Sequence, residues 1–222
     1  LAAYFKVAKK DGEYHGVRNG QTSRSQGTLS EAASSMNVGQ ASSILWMDAA
    51  ETYFLLAEAK LRLNLGDKTV KEYYEEGVKT SFSSKGASGA ESYLDNDVNV
   101  PSISFIDPTN GRNTDVSRMV SNLTVKWDES VSDDKKLERI MVQKWIALFP
   151  DGQEAWSEMR RTGYPGIVTI NTNASGGEVA TGELISRLKF PTKEYSDNTQ
   201  AAVSLLNGTD IAGTRLWWDV KR

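Results

Sequence analysis

LERIMVQKWIALFPDGQEAWSEMRRTGYP, running from Leu137 to Pro165, reads as two abutting helices whose junction and end are both written in the residues. Leu137, Met141, Trp145 and Leu148 recur at helical spacing, and Pro150 then withholds a backbone donor and ends the run. Asp151, with Glu154 three residues later, forms an aspartate version of a capping box that opens the second helix. Gly163 followed by Pro165 closes it. Nothing in the stretch is catalytic chemistry, so its weight is architectural.

Upstream lies a second helical pair. Ala50, Tyr53, Phe54, Ala57 and Leu61 share one face of a helix, widened by Ala49, Leu56 and Leu63, which predicts burial on more than one side. Asn64-Leu65-Gly66-Asp67 makes a tight turn, and Thr69 with Glu72 boxes the start of a helix carrying Val70, Tyr73, Tyr74, Gly77, Val78 and Phe82. Two antiparallel helices on a short loop, with a small residue and aromatics on the second, match a single tetratricopeptide-type hairpin. One hairpin cannot bury both faces, so other helices must flank it, later in the chain or in a part that is missing.

The remaining segments are irregular. Residues 1–45 are rich in Gly, Ser, Asn and Gln and read as loop with one short strand at Tyr4 to Val7; residues 83–131 hold Gly86, Gly89, Pro101, Pro108 and Gly111 and read as a long loop with a strand at Leu123 to Trp127. A loop of that length inside a domain is usually functional or mobile. Residues 132–222 carry the central helices, then Ile167 to Ile170, a turn-rich run at Asn171 to Gly177, a strand at Leu184 to Phe190, and a helix capped by Asn198 that runs through Leu206. The fold class is mainly α, with tetratricopeptide-like helical hairpins packed with an irregular loop-rich region and a few short strands.

Composition narrows the function. Twenty-six basic and 29 acidic residues give a net charge of −3 spread along 222 residues, which leaves no basic face for nucleic acid. With no Cys there is no disulfide framework or thiolate site, and one His, His15, removes most catalytic triads and polyhistidine metal sites. No apolar run reaches the length of a transmembrane helix. Asp95, Asp97 and Asn99 open like a calcium loop, but Val100 and Ile106 stand where glycine and glutamate belong, so an Asx-rich turn is favoured and no metal is expected. Glu75-Glu76 and Asp133-Asp134 are adjacent pairs at helix surfaces, which solvation and helix dipoles explain without a hydrolytic cleft.

The aromatics are the better guide. Sugar rings bind by laying their C–H faces on aromatic planes, and the chain has 6 Trp, 8 Tyr and 6 Phe. Tyr53, Phe54, Tyr73, Tyr74, Trp145 and Trp156 fall on helical stripes and read as core. Trp217 and Trp218 read as an anchor for the C-terminal segment, and Arg160-Arg161 as partners of the last helical turn rather than an anion clamp. The loop aromatics Tyr14, His15, Tyr93, Phe105 and Trp127 are free to face a ligand and are the candidate binding residues.

Six segments in order give a resemblance. They are Phe54 to Ala59, Tyr73 to Phe82, Gln143 to Phe149, Glu154-Ala155-Trp156 with Arg160 to Pro165, Arg187 to Pro191 ahead of Glu194 and Asn198, and Leu216-Trp217-Trp218-Asp219. Together they resemble the SusD/RagB group of outer-membrane nutrient-binding lipoproteins. The resemblance implies a non-enzymatic protein that needs no cofactor and is held on the Gram-negative outer membrane through an N-terminal lipid. It also implies capture of a glycan or peptide for a SusC-like TonB-dependent transporter. Family chains are about twice this length, so residues 1–222 are expected to be the C-terminal portion of a single SusD-like domain: loop-rich entry 1–45, hairpin 46–82, loop region 83–131, helices and C-terminal segment 132–222. No ligand residue carries over from the family. The rival readings are a helical-hairpin scaffold that binds peptide or protein only and, behind it, a surface glycoside hydrolase.

Overall fold

The computed structural model describes residues 2–17, 26–43, 45–99, 102–103, 118–119, 121–166, 173–206 and 209–219. The chain divides into two compact units, one of Leu1–Val17 and Ser23–Val168, the other of Arg18–Thr22 and Thr169–Arg222. Among the described residues no helix is long and apolar enough to cross a membrane.

The first unit is built on the hairpin that the sequence spells out, α2 (Ala49–Leu63) and α3 (Val70–Ser84). Before it come β1 (Phe5–Lys6), α1 (Gln26–Ala32) and β2 (Ser35–Met36), with β1 and β2 paired antiparallel, Phe5 opposite Met36. The turn and the capping box form as the residues predict, and α2 gains a cap that the sequence reading did not assign. Asp48 caps α2 by accepting from the Ala50 N–H at 3.0 Å, and Asn64 ends it in the left-handed region at φ 54°. At α3 the box closes reciprocally, with the Glu72 N–H donating to Thr69 Oγ1 at 3.2 Å and the Thr69 N–H donating to Glu72 Oε2 at 2.7 Å. The faces meet closely because Gly77 lacks a side chain: a Cβ there would lie 2.8 Å from the Phe54 ring.

After α3 follow α4 (Ala90–Leu94), the antiparallel pair β3 (Ser102–Ile103) and β4 (Arg118–Met119), α5 (Asp133–Ala147) and α6 (Gly152–Thr162). α5 packs on both α2 and α3 and closes a core of Ala50, Phe54, Ala57, Tyr73, Tyr74, Val78, Leu94, Trp127, Leu137, Ile140, Met141 and Ala147. Asp151 caps α6 by accepting the Glu154 N–H at 3.0 Å, and Gly163 ends it at φ 79°. An aromatic cluster joins the entry segment to the end of α5: Phe149 meets Tyr4 edge-on and Phe5 at a tilt, each at 5.0 Å between ring centres.

Several expectations give way. Trp145 is 38% exposed rather than core, and the helix geometry explains it. At 3.6 residues per turn Lys144 lies within about 20° of Leu137 and Trp145 about 80° away, so the buried position belongs to Lys144. That lysine, 1% exposed, lies 2.9 Å from Glu158, 3.2 Å from Glu51 and 3.9 Å from Glu154. Arg161 adds a two-toothed contact to Glu58 at 2.8 and 2.5 Å and binds Glu158, while Arg62 reaches Glu58 at 2.9 Å. An ionic cluster thus ties α2, α5 and α6, and Arg161 is held by carboxylates, one of them on α2, where the sequence suggested the carbonyls of its own last turn. Leu63, placed on the buried face of α2 by periodicity, is exposed. No strand forms at Leu123 to Trp127; the strand expected at Tyr4 to Val7 is only two residues long; α1 and α4, too short to show a period, lie inside segments read as loop.

The second unit carries α7 (Thr192–Asp197) and α8 (Thr199–Leu206), the first unforeseen, the second beginning just past Asn198 as expected. Residues 184–190 are not a strand, and Ile167 to Ile170 lie outside the described residues. Asp210 organises this unit: its carboxylate accepts from the Arg187 guanidinium, the Tyr195 hydroxyl and, at 3.0 Å, the Phe190 N–H. Burial pushes that carboxyl up, but these three donors outweigh it and hold the carboxyl below its ordinary range. The Trp217 ring is 91% exposed and anchors nothing; Arg215 instead binds Asp219 at 3.2 Å and approaches Glu183 at 3.6 Å.

Candidate ligand-binding site

The irregular segment between α3 and α5 bends back on itself. The Lys126 N–H donates to the Asn96 carbonyl at 3.0 Å, joining its two limbs, and Tyr74, deep in the core, donates its hydroxyl to the Val125 carbonyl at 2.6 Å. Between these limbs and α5 lies a cavity of about 210 Å³. The first limb gives it Tyr93, Asn96 and Asn99; the second gives Ser121, Leu123, Thr124 and Val125; α5 gives Arg139, Val142, Gln143 and Ile146. Those four α5 positions are spaced i, i+3, i+4, i+7, so they share one helical face.

The walls are more apolar than polar, and Arg139 is their one charged side chain among the described residues. Tyr93 packs on Phe82 with ring centres 5.2 Å apart and donates its hydroxyl to Gln143 Oε1 at 3.0 Å. Burial raises its pKa, so the hydroxyl keeps its proton at neutral pH. Asn96 Oδ1 accepts from the Val98 and Asn99 N–H groups at 3.1 and 2.9 Å, an Asx turn that stands where the sequence hinted at a calcium loop. Asp97 pairs with Lys126 at 3.5 Å. Among the described residues no group of three His, Asp or Glu could hold a metal ion. Among the described residues the lining has no carboxylate, and so none of the pair that glycoside hydrolysis requires. The adjacent acidic pairs are explained by neighbours: Glu75 lies 3.7 Å from Lys71, Asp133 lies 3.8 Å from Lys136, and Asp134 accepts from the Tyr164 hydroxyl at 2.8 Å.

Of the five loop aromatics, Tyr93 lines the cavity. Trp127 is 8% exposed and belongs to the core, tilted against Tyr74 with ring centres 5.1 Å apart and its indole N–H donating to Glu129 Oε1 at 2.7 Å. It braces the segment and presents no open face. Tyr14 is exposed on the entry segment. His15 beside it is held by Ser34 through its backbone N–H at 2.9 Å and by Asp11 through its ring at 2.9 Å. Neither lines the cavity, and Phe105 lies outside the described residues. Arg139 and Gln143 are cavity residues that the sequence reading did not pick out. The i, i+3, i+4, i+7 run on α5, opposite the Leu137 stripe, was the signal available.

The family described as Susd and RagB outer membrane lipoprotein matches residues 1–219. Solved structures agree. A SusD homolog from Bacteroides uniformis is 38% identical with a TM-score of 0.88, and the match covers 100% of this chain and 46% of that one. A chitin-binding SusD homolog from Flavobacterium johnsoniae is 40% identical with a TM-score of 0.87, covering 100% and 46%. A SusD homolog from Bacteroides thetaiotaomicron is 37% identical at 0.88, covering 100% and 48%. Among curated proteins none matches. The chain spans about half the length of the solved structures it resembles. It belongs to the SusD/RagB family of outer-membrane lipoproteins.

Proposed function

We propose that this chain is part of a cell-surface receptor that captures a glycan and hands it to a SusC-like TonB-dependent transporter, without altering it chemically. The observation that carries the reading is the match, over all of this chain and 46% of the other, to a chitin-binding homolog at 40% identity. The cavity supports it: amide and hydroxyl groups of Asn96, Asn99, Ser121 and Thr124 offer partners for sugar hydroxyls, and Leu123, Val142 and Ile146 offer apolar surface for ring C–H groups. In this reading a lipid on the N-terminal part of the protein holds it to the outer membrane. Tyr93 is the aromatic assigned to the ligand, Trp127 braces the second limb through Tyr74, and Tyr14, His15 and Phe105 are kept as further candidate contacts.

The test is calorimetry on the intact protein against chitotetraose, cellotetraose, xylotetraose and maltotetraose, followed by chromatography of the recovered sugar. Saturable binding of at least one oligosaccharide, returned uncleaved, is the expected result. Cleavage of the bound sugar would make the protein a hydrolase, and a flat titration with every glycan would leave the protein-binding scaffold as the better account.

A further inference from the structure

Arg139 differs from every other buried charge among the described residues. Lys144 has its glutamates, Arg187 has Asp210, Glu58 has Arg161 and Arg62, Glu138 has Lys135 at 2.7 Å, and Asp48 has Lys85 at 3.5 Å. Arg139 is 4% exposed and has no carboxylate within ion-pair distance among those residues. Its guanidinium spends one donor, Nε, on the Thr124 carbonyl at 3.0 Å and lies 5.9 Å from the Trp127 ring. Its Nη1 is buried with no acceptor at all. The nearby Asp128 feels the Arg139 charge but makes no ion-pair contact with it, and turns Oδ1 to Ser130, accepting from the backbone at 2.8 Å and from the hydroxyl at 2.6 Å. A guanidinium carries five N–H donors in a fixed fork, and burying both Nη1 hydrogens without an acceptor, with no carboxylate in ion-pair contact among the described residues, is unfavourable. The residue nevertheless lines the cavity.

We propose that the cavity accepts a carboxylate-bearing sugar residue, a uronic or sialic acid within the captured glycan, with Arg139 as the partner of its carboxylate. This rests on the glycan-capture reading and narrows its substrate class. The fork of an arginine matches a carboxylate in two parallel hydrogen bonds. Around it Asn96, Asn99 and Gln143 offer amides for ring hydroxyls, and Val142 and Ile146 an apolar floor. At about 210 Å³ the space is smaller than the roughly 300–1,000 Å³ of pockets that enclose a whole ligand, so it takes one residue of a longer chain.

The experiment compares acids with their own methyl esters, which differ only in charge. Tetragalacturonate, a glucuronic-acid-bearing xylotetraose and sialyllactose are each titrated into the intact protein beside the esterified form, with tetra-alanine and its C-terminal amide as a peptide control. At least one sugar acid should bind about tenfold tighter than its ester, and Arg139→Lys, which keeps the charge but loses the fork, should remove most of that preference. The comparison within the unmutated protein stands even if the variant folds poorly. If every acid binds no better than its ester while a neutral glycan such as chitotetraose binds, the acidic-sugar assignment is overturned and glycan capture survives. If only the free peptide acid is preferred, the sugar is the wrong source of the carboxylate. If no glycan of any kind binds, both readings fall.

Discussion

Gly77 sits where α3 crosses the Phe54 ring, and a methyl group there would stand 2.8 Å from that ring with both residues buried. Alanine has the better helix propensity by about 1 kcal/mol, but overpacking in a closed core costs about 1–3 kcal/mol. Gly77→Ala is therefore expected to lower the urea midpoint with no change in slope; an unchanged or raised midpoint would mean the helices can part at no cost. Tyr93 makes a second case at this scale. Its hydroxyl occupies Gln143 Oε1 and its ring leans on Phe82, so Tyr93→Ala should weaken glycan binding by about 1–2 kcal/mol. Trp127→Ala should act chiefly on stability, since the indole faces Tyr74 and Glu129. Calorimetry beside thermal melting separates the two effects. The sequence treated both as equivalent loop aromatics because neither lies on a periodic helix; only the packing of residues 93–99 and 121–127 beside α5 distinguishes them.

Among elements, α5 joins the parts of the first unit and shows how far a sequence pattern reaches. Its end and the Leu137–Met141 stripe were legible, because proline and apolar spacing are local signals. The burial of Lys144 was not, because its partners Glu51 and Glu158 lie on other helices, out of reach of any local rule. Charge in that cluster sets a pH signature. Burial pushes the Glu158 carboxyl up, but hydrogen bonds from Arg161 and Lys144 outweigh it and hold the group below the ordinary carboxylate range. Its stabilisation is then fully present above the ordinary glutamate pKa of about 4.3 and fades as pH falls through the lower folded value. Glu154 has the opposite sign: burial first, then the charge of Glu51, raises it, so the folded state takes up that proton earlier than the unfolded chain does. Glu158→Gln should cost about 3 kcal/mol near neutrality, with the gap to the unmutated protein closing at acid pH. Glu154→Gln should leave neutral stability unchanged or slightly raised. Unfolding curves for the two variants between neutral and acid pH check both signs, and equal losses from both would contradict the cluster as described.

For the whole molecule, the family was readable because six separated segments occur in a fixed order, each tied to a cap, a turn or a core face that the structure then fills. The hairpin, the break at Pro150 and the helix after Asn198 appear as the residues foretell, while α1, α4 and α7 escaped because five to seven residues complete too few turns to show a period. The cavity escaped for another reason: it exists only where two limbs far apart in sequence meet a helix. The proposed partnership belongs to this scale as well, and the intact protein should co-purify with a TonB-dependent barrel from mildly solubilised outer membranes; recovery of the protein free of any transporter would count against delivery. The most direct test of the account is a crystal structure of the intact protein with its tightest-binding oligosaccharide. The account predicts a sugar residue seated between Asn96, Asn99 and the Tyr93–Gln143 pair. An oligosaccharide bound elsewhere, with this cavity unoccupied, would contradict it.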